Sequence, residues 1–204
     1  MSHPVTYDVE YPDRELNRLS SALRIFTVIP IAIVLAAVSG ASAGGSEGKV
    51  FFATAGGFLF LGPLLMLLFR EKYPRWWFDW NQELARFTAR VGIYYWLMDD
   101  RYPSTDEKQS VTLDLPYPAN PGDVHRALPL VKWFLAIPHY IILFFLYIAA
   151  FFCVIFVWFA ILFTGRYPRG LFDFLVGVQR WSVRVYAYAF VLVTDEYPPF
   201  SLDA

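Results

Sequence analysis

"REKYPRWWFDWNQELARFTARVGIYY" (Arg70–Tyr95) and "TGRYPRGLFDFLVGVQRWSVRVYAYA" (Thr164–Ala189) are two versions of one segment, aligned without a gap at an offset of 94. Tyr73, Pro74, Arg75, Phe78, Asp79, Arg86, Arg90 and Tyr94 recur as Tyr167, Pro168, Arg169, Phe172, Asp173, Arg180, Arg184 and Tyr188. The likeness extends outward. "VTYDVEYP" (Val5–Pro12) returns as "VTLDLPYP" (Val111–Pro118), "LRIFTVIP" (Leu23–Pro30) as "VKWFLAIP" (Val131–Pro138), and "MDDRYP" (Met98–Pro103) as "TDEYP" (Thr194–Pro198). Self-similarity at a fixed period marks a repeat architecture. The chain therefore reads as a tandem duplication, with unit 1 over 1–107 and unit 2 over 108–204. Each unit has the order strand, two spans, amphipathic helix, strand.

The composition sets the solvent. The 204 residues are 57% hydrophobic and 20% aromatic, against about 45–50% apolar in ordinary soluble domains. Mean hydropathy is +0.41. A net charge of −1 argues against nucleic acid as a partner. One cysteine, Cys153, excludes a disulfide framework and a Cys-rich zinc site. The polar opening "MSHPVTYDVEYPDRE" lacks the apolar core of a signal peptide.

The apolar material lies between the strands. In unit 1 it forms two candidate spans, Leu19–Val38 and Val50–Phe69, separated by the flexible stretch Ser39–Lys49. In unit 2, Leu128–Phe163 is one block interrupted by Lys132, Pro138 and His139. As one helix it would be about 54 Å long, far beyond a hydrocarbon core of about 30 Å. It is either a tight hairpin or a helix kinked at Pro138. Basic residues flank the apolar stretches at both ends: Arg14, Arg18 and Arg24, then Arg70, Lys72 and Arg75; Arg126 and Lys132, then Arg166 and Arg169. The positive-inside rule puts both ends of each unit, and both termini, in the cytoplasm. That favours two hairpins. The fold class expected is an all-α membrane protein of two tandem repeats, each a transmembrane helical hairpin plus an amphipathic interfacial helix. A small cytoplasmic β-sheet from four short strands completes it, two of them being "IYYWLMDD" and "YAFVLVTD".

The repeated segment reads as a helix with a polar stripe: Arg75, Asp79, Arg86 and Arg90 in unit 1; Arg169, Asp173, Arg180 and Arg184 in unit 2. Such a helix suits the plane of a membrane interface. The rival is that 76–98 and 171–193 cross the bilayer, which would put Arg86 and Arg180 near mid-depth at roughly 2.5–3.5 kcal/mol each. That cost favours the interface. The stripe has three readings: ion pairs, including Asp79 with Arg180 across the repeat; contacts to lipid phosphate; or a bound ligand. No histidine spacing suits a metal, no cofactor fingerprint is present, and no nucleophile stands beside a base. An enzyme is not expected.

"LFTGRYPRGLFDFLVGVQRWSVRVYAY" with "TDEYPPFSLD" (Leu162–Tyr188, Thr194–Asp203), preceded by "IPHYI" (Ile137–Ile141), resembles a bacterial, largely actinobacterial family of membrane proteins known only as a domain of unknown function. Unit 2 carries the resemblance over nearly its whole length; unit 1 is a divergent copy. The resemblance implies a bacterial inner (cytoplasmic) membrane location and brings no activity, cofactor or catalytic residue. The function expected is a multi-pass, pseudo-twofold scaffold or accessory subunit. Its partners would be membrane lipids, with anionic lipid at the cytoplasmic face, and a larger membrane complex or a homo-oligomer. A small transporter or channel with a pathway at the repeat interface is the alternative.

Overall fold

The computed structural model describes residues 3–39, 73–105, 107–118, 124–125 and 128–203. The span expected at Val50–Phe69 and most of the loop before it lie outside these residues. In chain order the elements are β1 (Thr6–Val9), α1 (Arg18–Ala22), α2 (Arg24–Ser39), α3 (Arg75–Tyr95), β2 (Val111–Asp114), α4 (Leu128–Leu135), α5 (Ile137–Thr164), α6 (Arg169–Tyr186) and a π-helical turn, Ala187–Val191.

The two Tyr-Pro pairs start the two striped helices in the same way. Pro74 (φ −67°, ψ 125°) and Pro168 (φ −66°, ψ 121°) are extended N-caps. Their carbonyls accept the first helical bonds, from the N–H of Phe78 and of Phe172, both at 3.1 Å. Proline suits this place because its ring holds φ while its missing N–H costs no helical bond. The helices also end alike, at buried leucines in the left-handed region: Leu97 at φ 63° and Leu192 at φ 62°. In unit 1 the Met98 N–H closes the end on the Ile93 carbonyl (2.9 Å), five residues back; in unit 2 the Val193 N–H closes on Ala187 (3.3 Å), six back. Ile93 and Ala187 match at offset 94, whereas Leu97 and Leu192 match at 95. The π-helical turn of unit 2 accommodates that one extra residue.

Two of the four expected strands are therefore helix. "IYYWLMDD" is the last turn and cap of α3, and "YAFVLVTD" is the π-helical turn and its cap. Their β-branched and aromatic content reflects burial on several sides: Ile93, Tyr94, Leu97 and Met98, like Ala187, Tyr188, Ala189, Val191 and Leu192, are all core residues. Strand and buried helix share that composition, and length decides between them.

The remaining two strands pair antiparallel, Tyr7 opposite Leu113, Thr6 opposite Asp114 and Asp8 opposite Thr112. Tyr7, Val9 and Leu113 face inward, while Thr6, Asp8, Thr112 and Asp114 face out, the alternation of a half-buried sheet. β2 packs on α3 and β1 on α6; on another side α3 carries α2, and α6 carries α5.

The expected hairpin of unit 2 is replaced by one continuous helix. α5 has 28 residues, about 42 Å at 1.5 Å per residue. The chain breaks at Ala136, before Pro138 in the first turn of α5, and nothing between Phe144 and Phe156 interrupts the backbone hydrogen bonds. Without glycine, proline or a polar turn residue there, no tight turn has a residue to form on. α5 buries a single seam at steps of three and four: His139, Leu143, Leu146, Ala150, Val154, Val157 and Ile161. Phe144, Phe145, Phe151, Phe152, Phe156 and Phe163 are exposed on the rest of its surface. α2 does the same on α3, seating Val28, Ile31 and Leu35 against Phe87 and Val91 and exposing Ile25, Phe26, Ile29 and Ile33. α5 ends at Gly165, whose φ of 73° suits the left-handed C-cap. There the Leu16 N–H donates to the Gly165 carbonyl (2.9 Å), and Trp158 Nε1 donates to Ser21 O (3.1 Å).

Candidate functional site

Two of the striped arginines, Arg86 and Arg180, bind strands. Arg86 donates from Nε to the Leu113 carbonyl (3.0 Å) and from Nη2 to Asp114 (2.5 Å), with Glu83 on Nη1 (2.6 Å). Arg180 donates from Nε to the Tyr7 carbonyl (2.9 Å) and from Nη2 to Asp8 (3.0 Å), with the Leu202 carbonyl on Nη1 (3.1 Å). Tyr7-Asp8 and Leu113-Asp114 are themselves matched positions, at offset 106. Each arginine thus holds the strand of the other half by the same two contacts. The carboxylate on Arg180 is Asp8, so the pairing of Asp79 with Arg180 does not form. Asp79 meets Arg75 locally at 3.8 Å, with both side chains mostly exposed, and Asp173 is exposed.

The tyrosines of the Tyr-Pro turns also cross between halves. Tyr73 Oη donates to the Val191 carbonyl (2.5 Å), and Tyr167 Oη to the Trp96 carbonyl (3.1 Å). Tyr11 Oη donates to Tyr167 O (2.5 Å) and Tyr117 Oη to Tyr73 O (3.2 Å). Arg75 sits over the Tyr117 ring at 4.9 Å and Arg169 over the Tyr11 ring at 4.6 Å, close enough for cation–π attraction. Beside the central strand pair the Tyr7 hydroxyl donates to Gln179. The matched pair in the other half is Leu113 and Ala85, a polar couple exchanged for an apolar one.

Two of the basic residues that flank the apolar stretches in the sequence are buried: Arg24 and Lys132 are 3% and 0% exposed. They match at offset 108. Arg24 lies 3.8 Å from the Tyr94 ring centre and donates to the carbonyls of Tyr94 (3.0 Å) and Asp99 (2.7 Å). Lys132 lies 5.0 Å from the Tyr188 ring centre and donates to the Thr194 carbonyl (2.7 Å), with Asp195 at 2.7 Å. Each cation fastens an apolar helix to the end of its own striped helix. The signal available in the sequence was the alignment of Arg24 with Lys132 and of Tyr94 with Tyr188.

Asp99 anchors the loop after α3. Arg14 reaches it at 3.0 Å, Arg101 at 2.9 Å and Ser110 Oγ at 2.7 Å. Burial pushes its carboxyl up, but the bonds from Arg101 and Ser110 outweigh burial and hold it below its ordinary value of 3.8. A carboxylate with a lowered folded-state pKa stabilises above its unfolded pKa, and that stability is lost as pH falls through the folded value. The melting temperature should therefore fall as the pH drops below roughly 4, the unfolded value of an aspartate. Asp99→Asn should melt lower than the parent at pH 7 and show a flatter acid limb. Parallel limbs in a pH series of thermal melts would remove Asp99 from this role.

Among the described residues no group of three His, Cys, Asp or Glu could hold a metal. Among the described residues one helix, Ile137–Thr164, is long and apolar enough to cross a membrane. Residues 128–201 match the model of a family described as Domain of unknown function (DUF4389). That segment holds Lys132, Arg180 and Asp195, unit 2 members of the contacts above. Comparison with curated proteins and with solved structures gives no match.

Proposed function

We propose that this chain is a non-catalytic membrane scaffold of the bacterial cytoplasmic membrane, its described helices seated in one leaflet, and built from two duplicated halves that close on a local twofold axis between Tyr7 and Leu113. The observation that carries the reading is the place of the sheet. Arg86 and Arg180 stand near the middle of α3 and α6, and each is tied there to a two-stranded sheet with charged outer residues. Asp8 and Asp114 are well exposed on that sheet. If these helices crossed the bilayer, open strand edges and carboxylates would lie at mid-depth, where backbone polar groups have no water. In the membrane plane the sheet stays in water while the exposed faces of α2 and α5 sink into the acyl region, as interfacial helices do. The charge distribution agrees: Arg126 before the apolar block and Arg166 and Arg169 after it call for one side at both ends, and a helix lying flat meets that without a hairpin. Exposed Arg18, Arg75, Arg166 and Arg169 are placed to meet anionic headgroups.

The test is sidedness. In a Cys153→Ala background, Arg166→Cys and Glu196→Cys place thiols near the two ends of α5. Both should react with an impermeant maleimide in inverted vesicles and neither in intact spheroplasts. Reaction of the two from opposite sides would sink the in-plane reading.

A further inference from the structure

Arg184 is a cation left without an acceptor. It is 3% exposed. Among the described residues no carboxylate lies within ion-pairing distance of it, and its buried Nε has no hydrogen-bond partner. Its match in the other half, Arg90, is 5% exposed and donates to the carbonyls of Ser104 (3.0 Å) and Thr105 (2.8 Å). The two halves set the same guanidinium at the same place on the same helix, but only in unit 1 do carbonyls of the following loop accept from it.

In unit 2 a cavity of about 240 Å³ opens there, lined by Arg184, His3, Glu196, Tyr197, Ser201 and Asp203. His3 lines the same wall. Its Nδ1 accepts the Val5 N–H (3.2 Å), so the proton of the neutral ring sits on Nε2, which is buried beside the Glu196 backbone. Burial holds this imidazole below its ordinary range, against the pull of Glu196. The acidic side of the cavity is just as specific. Asp203 takes the Ser201 hydroxyl at 2.8 Å, and Glu196 is exposed at the rim. Arg180 faces Arg184 from one turn earlier on α6, with Asp203 as the opposing charge.

The Arg184 guanidinium, without an acceptor among the described residues, calls for an oxyanion, since a buried guanidinium is costly unless both paired and hydrogen-bonded. A bare anion would also meet Glu196 and Asp203. We propose that this cavity binds a small zwitterion, its oxyanion on Arg184 and His3 and its ammonium toward Glu196 and Asp203. Free aminoalkyl phosphates and the headgroup of an aminophospholipid share this chemistry. The site rests on its own geometry and does not require the in-plane reading.

The full chain in a phosphate-free nonionic detergent is titrated calorimetrically with O-phosphoethanolamine, inorganic phosphate and ethanolamine. Phosphoethanolamine should bind, and inorganic phosphate and ethanolamine should bind at least about tenfold more weakly, one charge-assisted contact being worth that much. Arg184→Gln should weaken phosphoethanolamine about tenfold or more. Because that change also touches the packing of α6, two rim variants carry the test independently. His3→Gln should weaken both phosphate ligands, and Glu196→Gln should narrow the preference for phosphoethanolamine over phosphate. Native mass spectra then separate the sources: phosphatidylethanolamine retained by the parent and lost from His3→Gln assigns the site to lipid, and its absence alongside calorimetric binding assigns it to a free solute. Phosphate binding as tightly as phosphoethanolamine overturns the proposal. So does binding unchanged in all three variants, or no binding of any probe with no retained aminophospholipid.

Discussion

Lys132→Ala should be the most destabilising single substitution in the chain, at about 3–5 kcal/mol, the range for removing one partner of a buried ion pair. The ammonium is fully buried and meets both the Thr194 carbonyl and Asp195 at 2.7 Å. Truncation leaves that carbonyl and carboxylate without their cation and empties the space of a four-carbon stem beneath Tyr188. In a chain of this size each kcal/mol is about 2–4 °C of melting temperature, so a drop on the order of 10 °C is expected. Lys132→Met separates the two effects, since it keeps the stem and removes the charge. It should recover the packing part of the loss only. A melt of Lys132→Ala within about 3 °C of the parent, well under the shift that range implies, would mean that the ion pair does not hold α4 to the π-helical turn.

Lys132 also shows where reading the sequence stops. The alignment set Arg24 beside Lys132, but a basic residue at the head of an apolar run has an ordinary meaning as a flanking charge. What buries both is the tyrosine one helix away, and the sequence does not say that Tyr94 and Tyr188 turn toward them. The same limit explains the two lost strands. "YAFVLVTD" has strand composition because every neighbour of that turn is apolar, and the inserted residue that winds it into a π-helix is visible only when offsets 94 and 95 are compared on either side of it. The hairpin expected in unit 2 rested on length and on the basic residues at both ends; the missing turn residues between Phe144 and Phe156 were the stronger signal. The stripe of arginines was legible as a stripe. Its partners were not, because Asp8 and Asp114 reach it through strand pairing across about a hundred residues of chain. Arg90 and Arg184 occupy matched positions and differ in what covers them.

Separated halves should fail where the joined chain folds, and should recover together. β1 has no partner in the described structure except β2, and a lone strand presents an open edge. Arg86 needs Leu113 and Asp114; Arg180 needs Tyr7 and Asp8. The hydroxyls of Tyr73 and Tyr167 each find their acceptor at the end of the other half's helix. Cutting between Glu107 and Lys108 leaves every one of these contacts possible but makes each bimolecular. Residues 1–107 and 108–204 produced alone should therefore give no cooperative melt, while co-produced they should copurify at one to one and regain the parent's unfolding transition with a concentration-dependent midpoint. Unit 2 has one further route. The register pairs Tyr7 with Leu113, and those positions are matched, so a second copy of 108–204 can offer its own Val111–Asp114 to the same edge about a twofold axis, the commonest closed symmetry for such contacts. A dimer of unit 2 that dissociates when unit 1 is added is the expected form of that result. A monomeric 108–204 that melts cooperatively by itself would show that each half closes its own core, and the strand exchange would then be ornament on two independent domains.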